Sequence, residues 1–382
     1  MYAALREQRP VHHVEDGDFW VLSRFADVWD AARDTSTFSS AEGLTVTYGE
    51  RERIGLDEAA PIVMTDPPAH TAFRRLVAAG FTPRQVAELE PQVRTFVGDR
   101  LDQLAADGGG DVVAAVFKPL PSMVVAHYLG VPDADRARFD VWTEAIVEAN
   151  AGGDVGMAAE RLGELLAYFD DLVRRRRREQ DAGAPVGDDV ISQLVGVQRS
   201  GTEVAPLAVL GFAFTMVAGG NDTTTGLLGV AAELLTEHRD QRSRLAQDLS
   251  ALPDAVEELL RLASPVQGLA RMTTRPVELH GTQVPAGRKV LLLYASANRD
   301  PREFGPDAEQ CDLSRPIRRM MTFGYGAHHC LGAAAARLQA RVALEELLMR
   351  FPDFSVDAAS GTFAEGNYVR RYSSLPWRAT TD

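Results

Sequence analysis

Beyond residue 70, apolar residues recur at helical spacing along most of the chain. This pattern predicts helices over 70–80, 83–106, 111–129, 133–148, 156–180, 188–197, 206–237, 239–247 and 251–262. Strand-like stretches are shorter. DFWVLSR near the N-terminus reads as a strand, FADVWDAARD as a short helix, and 36–62 as a loop. Later strands are predicted in ARMTTRPVELHG, TQVPAGRKVLLLY and FAEGNYVRRYSSLPWR. Glycine and proline mark turns at 130–132, 285–287, 305–306 and 351–352. There is no repeat and no long linker, so the expectation is one mostly α domain over 1–382 with a minor β portion.

Two stretches depart from simple patterning. The segment 206–237 is apolar on every face, which predicts burial, yet it runs through AGGNDTTTG, a set of poor helix formers. Gly219 stands four residues before Thr223 on the same face, leaving the space over that hydroxyl free of side chain. The helix is expected to open there, with Thr223 bonded to a backbone carbonyl and a groove above it. Asp222 puts an acid beside that groove, and an acid next to an alcohol can relay protons. The second stretch is FGYGAHHCLGAAAARLQ, in which Cys330 follows a glycine-rich turn. Leu331 is predicted to begin a helix with a small first turn, Gly332 to Ala335. A thiol just before a helix N-terminus is expected to have a lowered pKa, and small neighbours leave room for something flat and large. That suits a metal-bound thiolate under a macrocycle. An inert buried thiol is equally compatible. Zinc held by His328, His329 and Cys330 is a poorer fit, because adjacent ligands on one loop make a poor tetrahedral set.

Composition narrows the class. Of 382 residues 45% are hydrophobic and 25% charged, as in soluble globular chains, and the formal net charge of −14 argues against a nucleic-acid or anionic-membrane binder. The basic run at 174–178 reads as a solvated helix end. Two cysteines make no disulfide framework, and no apolar run is long enough for a signal peptide or membrane anchor, so a cytoplasmic location is expected. Two further patterns are weak when taken singly. Glu258 and Arg261 in DAVEELLRLASP form an i,i+3 pair, and His70 and Arg74 in AHTAFRRLV project from one helical face, which Arg271 could join from a strand.

Together, in this order, the motifs resemble those of the cytochrome P450 superfamily. FGYGAHHCLG is similar to its heme-binding loop, AGGNDTT to its oxygen-binding helix, Glu258-x-x-Arg261 to its helix pair, and HTAFRRLV to its helix beside the heme propionates. NRDPREFGPDAEQCDLSRP is similar to the meander before the heme loop. The resemblance implies a triangular-prism-like heme-thiolate fold with a long central helix over heme b (iron protoporphyrin IX). It implies that Cys330 is the axial ligand, that His70, Arg74, Arg271 and His328 hold propionates, and that Phe323 and Gly332 border the cofactor. Asp222 and Thr223 match the pair that delivers protons to dioxygen, and Glu258 and Arg261 match a structural lock. Family positions place Phe214, Ala218, Val266 and Leu269 in the substrate pocket, with the loop 40–62 and the stretch 148–158, which implies a small, largely hydrophobic substrate.

The implied enzyme is a soluble, bacterial-type monooxygenase that takes electrons from a separate ferredoxin and its reductase or an equivalent donor. Arg318 and Arg319 are candidate docking contacts near Cys330, and a monomer is expected. Two departures stand out. The meander has Gln310 and Cys311 where the family usually has Arg and Phe, so Arg315 is a candidate substitute. The chain also begins close to its first strand, an expectation of a short form or of a looser pocket on that side. Two other readings compete: a peroxide-using relative, and a non-catalytic heme ligand binder or sensor. The retained Asp222 and Thr223 argue against both.

Overall fold

The computed structural model describes residues 1–53, 60–152, 159–199, 206–366 and 368–380. Five helices position the site: α1 (Ala69–Ala78), α2 (Pro119–Tyr128), α3 (Pro206–Glu237), α4 (Leu252–Ala263) and α5 (Ala333–Arg350). The bounds of α3 are those the apolar pattern predicts. At 1.5 Å per residue it runs about 48 Å through the molecule. Among the described residues no helix is long and apolar enough to cross a membrane.

Two cores meet along α3. Val209, Phe212, Ala213 and Val217 belong to a cluster built with the helices Arg136–Gly152, Ala159–Asp181 and Val190–Arg199. Leu227, Leu228, Ala231 and Leu235 belong to another, with α2, α4, α5 and the helix Glu90–Ala106. The polar stretch between Val217 and Leu227 therefore lies at the seam of two apolar bodies. Burial of the flanking turns holds these poor helix formers in register.

A third cluster covers the main sheet. Its strands are β1 (Val11–Val14), β2 (Phe19–Leu22), β3 (Phe38–Ser39), β4 (Leu269–Thr273) and β5 (Lys289–Leu292), in the order β1-β2-β5-β4-β3. β2 and β5 are parallel, with Phe19 opposite Lys289, while β4 and β5 are antiparallel, with Arg271 opposite Val290. Near the C-terminus β6 (Thr362–Phe363) pairs with β7 (Tyr372–Ser374).

Several expectations need correction. The predicted helix 83–106 is two helices, Pro83–Glu88 and Glu90–Ala106, with Pro91 in the first turn of the second. The stretch 111–129 is a short strand at Gly110–Asp111, a π-helical turn at Val113–Phe117, and then α2; Pro119 lacks the N–H needed to continue a single helix. The loop 36–62 holds β3, the one-turn helix Glu50–Arg53 and the start of the turn Ile62–Met64, and its residues 54–59 lie outside the described residues. A helix at Tyr2–Gln8 and the strand β1 were not predicted. Arg6 anchors that helix by donating to the Ser296 carbonyl at 2.9 Å and pairing with Glu309 at 2.8 Å. On Ala159–Asp181 the basic run is a surface face whose Arg174 and Arg176 pair with Asp170 and Glu179.

Candidate functional site

The Cys330 loop is shaped by two glycines in the left-handed region, Gly324 at φ +63° and Gly326 at φ +72°. A Cβ on Gly326 would sit 2.8 Å from the Ala32 carbonyl oxygen, so the loop can lie this close to the helix Phe25–Arg33 only with glycine there. Cys330 N–H donates to the Phe323 carbonyl at 2.8 Å, and Arg74 donates to the His329 carbonyl at 2.6 Å. The helix begins at Ala333, not Leu331, with Gly332 as its cap residue. Ala333 and Ala335 are buried in packing, so the clearance expected from the alanines belongs to Gly332, where an added Cβ would meet nothing within 4 Å.

Cys330 is exposed, yet densely surrounded by protein, as expected of a group facing an internal hollow. Burial pushes this thiol up, and the Gly332 N–H, Arg74 and Arg337 pull only partly against it. The expected lowering is therefore not found in the protein alone, because surrounding atoms outweigh the helix terminus. Phe323 packs partly buried beside the loop, with Arg337 4.5 Å above its ring and tied to Glu257 at 2.5 and 2.9 Å.

Basic groups gather next to this loop. His70 is 2% exposed, and its Nδ1 has no hydrogen-bond partner. Its ring lies 4.3 Å from that of His328, whose Nε2 is 3.2 Å from Ser40 Oγ. Arg271 is buried and donates to the Ala270 carbonyl at 2.7 Å. Burial, then Arg271, His70 and Arg74, push His328 down to about 3. Burial also lowers His70 and Arg74. Among the described residues none of these four forms an ion pair within 4.0 Å. A cluster of buried and half-buried donors with no carboxylate in ion-pair contact, including an orphaned Nδ1, fits an anionic group carrying two carboxylates. The thiol fits a soft metal ion, and the open space at Gly332 and Gly219 fits a flat ring, so the residues present suit heme.

Gly219 is exposed although it is mid-helix in α3, and a Cβ there would meet nothing within 4 Å. Thr223 Oγ1 donates to the Gly219 carbonyl at 2.9 Å, the back-bond expected from the sequence. The helix nonetheless continues unbroken, although Asn221 and Thr225 also bond carbonyls four residues back, at 2.7 and 3.0 Å. Asp222 pairs with Arg371 Nε at 2.6 Å. Burial raises the Asp222 carboxyl to about 6, against the lowering influence of Arg371 and Lys118.

Glu258 and Arg261 are fully buried and bonded through both oxygens, at 2.6 and 2.7 Å, so the i,i+3 pair is no surface feature. Arg261 donates to the Asn298 and Ala308 carbonyls at 2.7 Å each, and Arg315 Nε reaches Glu258 Oε1 at 3.3 Å. Phe214 and Ala218 lie one turn apart on α3, Val266 bridges to Val369, and Leu269 opens β4; all four are half-buried. In the stretch 148–158, residues 153–158 lie outside the described residues. Arg318 is exposed, while Arg319 is engaged by Glu303 at 2.6 and 2.7 Å. Sequence reasoning missed Arg371, Lys118 and Ser40, each a lone polar residue in a segment with no motif of its own.

A long central helix with a polar seam, together with a cysteine loop beside a cluster of basic groups, matches the architecture of the heme-thiolate enzymes. A family profile described as Cytochrome P450 matches residues 158–360. The chain is 58% identical over 390 residues to Cytochrome P450 130 of Mycobacterium tuberculosis, covering 100% of this chain and 95% of the relative. It is 34% identical to the Vitamin D(3) 25-hydroxylase of Pseudonocardia autotrophica, covering 98% and 92%. Among solved structures, CYP109Q5 from Chondromyces apiculatus superposes with a TM-score of 0.88 at 34% identity, covering 100% and 95%. The protein belongs to the cytochrome P450 superfamily, as a bacterial-type heme-thiolate monooxygenase, and is an oxidoreductase.

Proposed function

We propose that this chain forms one domain, binds heme b through Cys330 and oxidises a small, largely hydrophobic substrate with dioxygen and electrons from a separate donor. The single observation that carries this is the cluster of basic groups, His70, Arg74, Arg271 and His328, that gathers beside the Cys330 loop with no ion pair among the described residues and leaves His70 Nδ1 without a partner. In this reading they hold the two propionates, Phe323 shields the sulfur, and Gly332 supplies an N–H to it. When bound, the heme would supply dioxygen activation, which electron donation from the Cys330 thiolate would favour. Thr223, fixed by the Gly219 carbonyl, presents its hydroxyl to the open space of the seam, and Asp222 exchanges protons with solvent. Glu258, Arg261 and Arg315 hold the meander in place, with Arg315 filling the role left by Gln310 and Cys311.

Phe214, Ala218, Val266 and Leu269 offer apolar contact, which suits hydrophobic molecules such as the vitamin D(3) named for one relative and the testosterone bound in the CYP109E1 structure from Bacillus megaterium. Arg318 is the freer docking candidate for a ferredoxin, because Arg319 is already held by Glu303. A cytoplasmic monomer is part of the proposal. The test is turnover with a ferredoxin and its reductase, dioxygen and substrates preselected by a spin-state shift. Product that depends on both electrons and dioxygen supports the reading. Product with peroxide alone would favour the peroxide-using alternative, and no product from any spin-shifting ligand would favour a binder.

A further inference from the structure

Asp222 has one direct side-chain partner among the described residues, and it comes from far along the chain. Arg371 Nε sits 2.6 Å from Asp222 Oδ1, and the two side chains are 7% and 13% exposed. The other cation that Asp222 feels, Lys118, is engaged by Glu144 from the helix Arg136–Gly152. Arg371 is itself fixed by its backbone. Its carbonyl accepts from Ala364 N–H at 2.9 Å, and the preceding Arg370 donates to the Pro265 carbonyl at 2.8 Å. Gln267 donates to the Tyr368 carbonyl at 2.8 Å, and Val266 bridges Val369. The Arg370 carbonyl oxygen also lies 2.6 Å from where a Cβ on Gly226 of α3 would be. Side chains alternate along an extended segment, so exposed Arg370 and buried Arg371 leave on opposite faces.

We infer that Arg371 is a positioning residue which orients Asp222 and holds it ionisable, and that it anchors this acid to the 368–371 segment running beside the candidate pocket residue Val266. The inference rests on the monooxygenase reading. The proton chemistry is unchanged by it: each proton that leaves the Asp222 carboxyl is replaced by one from water. What Arg371 sets is the carboxylate's direction and the pH at which it releases the proton. A guanidinium at this distance, in a site where burial alone favours the neutral acid, keeps Asp222 from being locked in its protonated form.

The test is a pH titration of the Asp222 carboxyl in the heme-loaded ferrous–CO protein. It would be followed by NMR of 13Cγ-labelled aspartate, with the resonance assigned by its loss in Asp222→Asn. In Arg371→Gln the midpoint should move upward by roughly 1–3 pH units. In Arg371→Lys, which keeps the charge, it should stay near wild type. Peroxide released per electron should rise in Arg371→Gln, and adding that change to Asp222→Asn should raise it no further. An unmoved midpoint in Arg371→Gln, or equal effects of Arg371→Gln in both backgrounds, would overturn the inference. If Arg371→Gln fails to load heme, Arg371→Lys decides alone: a midpoint that shifts despite the retained charge overturns it, and a retained midpoint supports it. If the wild type forms no product at all, the monooxygenase reading fails, while the titration still reports whether Arg371 holds Asp222.

Discussion

Asp222 shows how position on α3 sets chemistry. Its carboxyl is raised from an ordinary 3.8 to about 6 because burial penalises the charge more than Arg371 and Lys118 favour it. The folded state therefore binds more protons than the unfolded chain over this interval. The stability that comes from the neutral acid is full below 3.8 and is lost as pH rises through about 6. The melting temperature of the wild type should accordingly fall relative to that of Asp222→Asn as pH climbs from about 4 to 6; parallel curves would remove Asp222 as the titrating group. Thr223 is the second residue to test. Thr223→Ala leaves the Gly219 carbonyl without its back-bond, and product per electron consumed should fall on the order of tenfold or more, with peroxide released instead. Unchanged coupling would take Thr223 out of the relay. The Thr223 back-bond was legible in the sequence because Gly219 and Thr223 share a helical face. Arg371 was not, since the fold alone brings a lone arginine of the C-terminal segment to Asp222.

The helices were legible where apolar spacing ran unbroken, as in α3 and α4, and illegible where a backbone constraint intervened. The π-helical turn Val113–Phe117 and the breaks before Pro119 and Pro91 depend on packing and on missing N–H groups, which periodicity does not encode. α4 ends where Ser264 takes a left-handed φ of 36°, and the Glu258–Arg261 pair inside it is buried because the meander folds over it. Arg315 ties that meander back to Glu258 and also donates to the Phe304 carbonyl at 2.6 Å. Replacing Arg315 with Met should cost about 1–3 kcal/mol in denaturant unfolding, as expected for lost bonds to a buried charge. A cost near zero would mean that Arg315 is no third member of the lock. Gly226 tests a different contact. Gly226→Ala puts a methyl against the Arg370 carbonyl, and because backbone cannot step aside cheaply, a loss of about 1–3 kcal/mol is expected in the same measurement. Unaltered stability would show that the 368–371 segment is not pressed on α3.

Across the whole molecule, two apolar clusters meet at α3 and leave its polar turns at their seam, with the Cys330 loop and the basic cluster set nearby. Local pattern predicted the mostly helical content, and the order of motifs predicted the family. The convergence itself was not in the pattern. His70, Arg271 and His328 lie on a helix, a strand and a loop, and become one group of buried donors only when the sheet and α1 close around the loop. Substrate identity is written in pocket shape, which the four half-buried apolar positions constrain only to hydrophobic ligands. The central claim is that Cys330 is the thiolate ligand of a heme held by those donors. The most direct test is the reduced CO difference spectrum of wild type and Cys330→Ala, each reconstituted with heme. The wild type should show the red-shifted Soret band of a thiolate-ligated ferrous–CO heme, and Cys330→Ala should lack it. The same band persisting in Cys330→Ala would contradict the account.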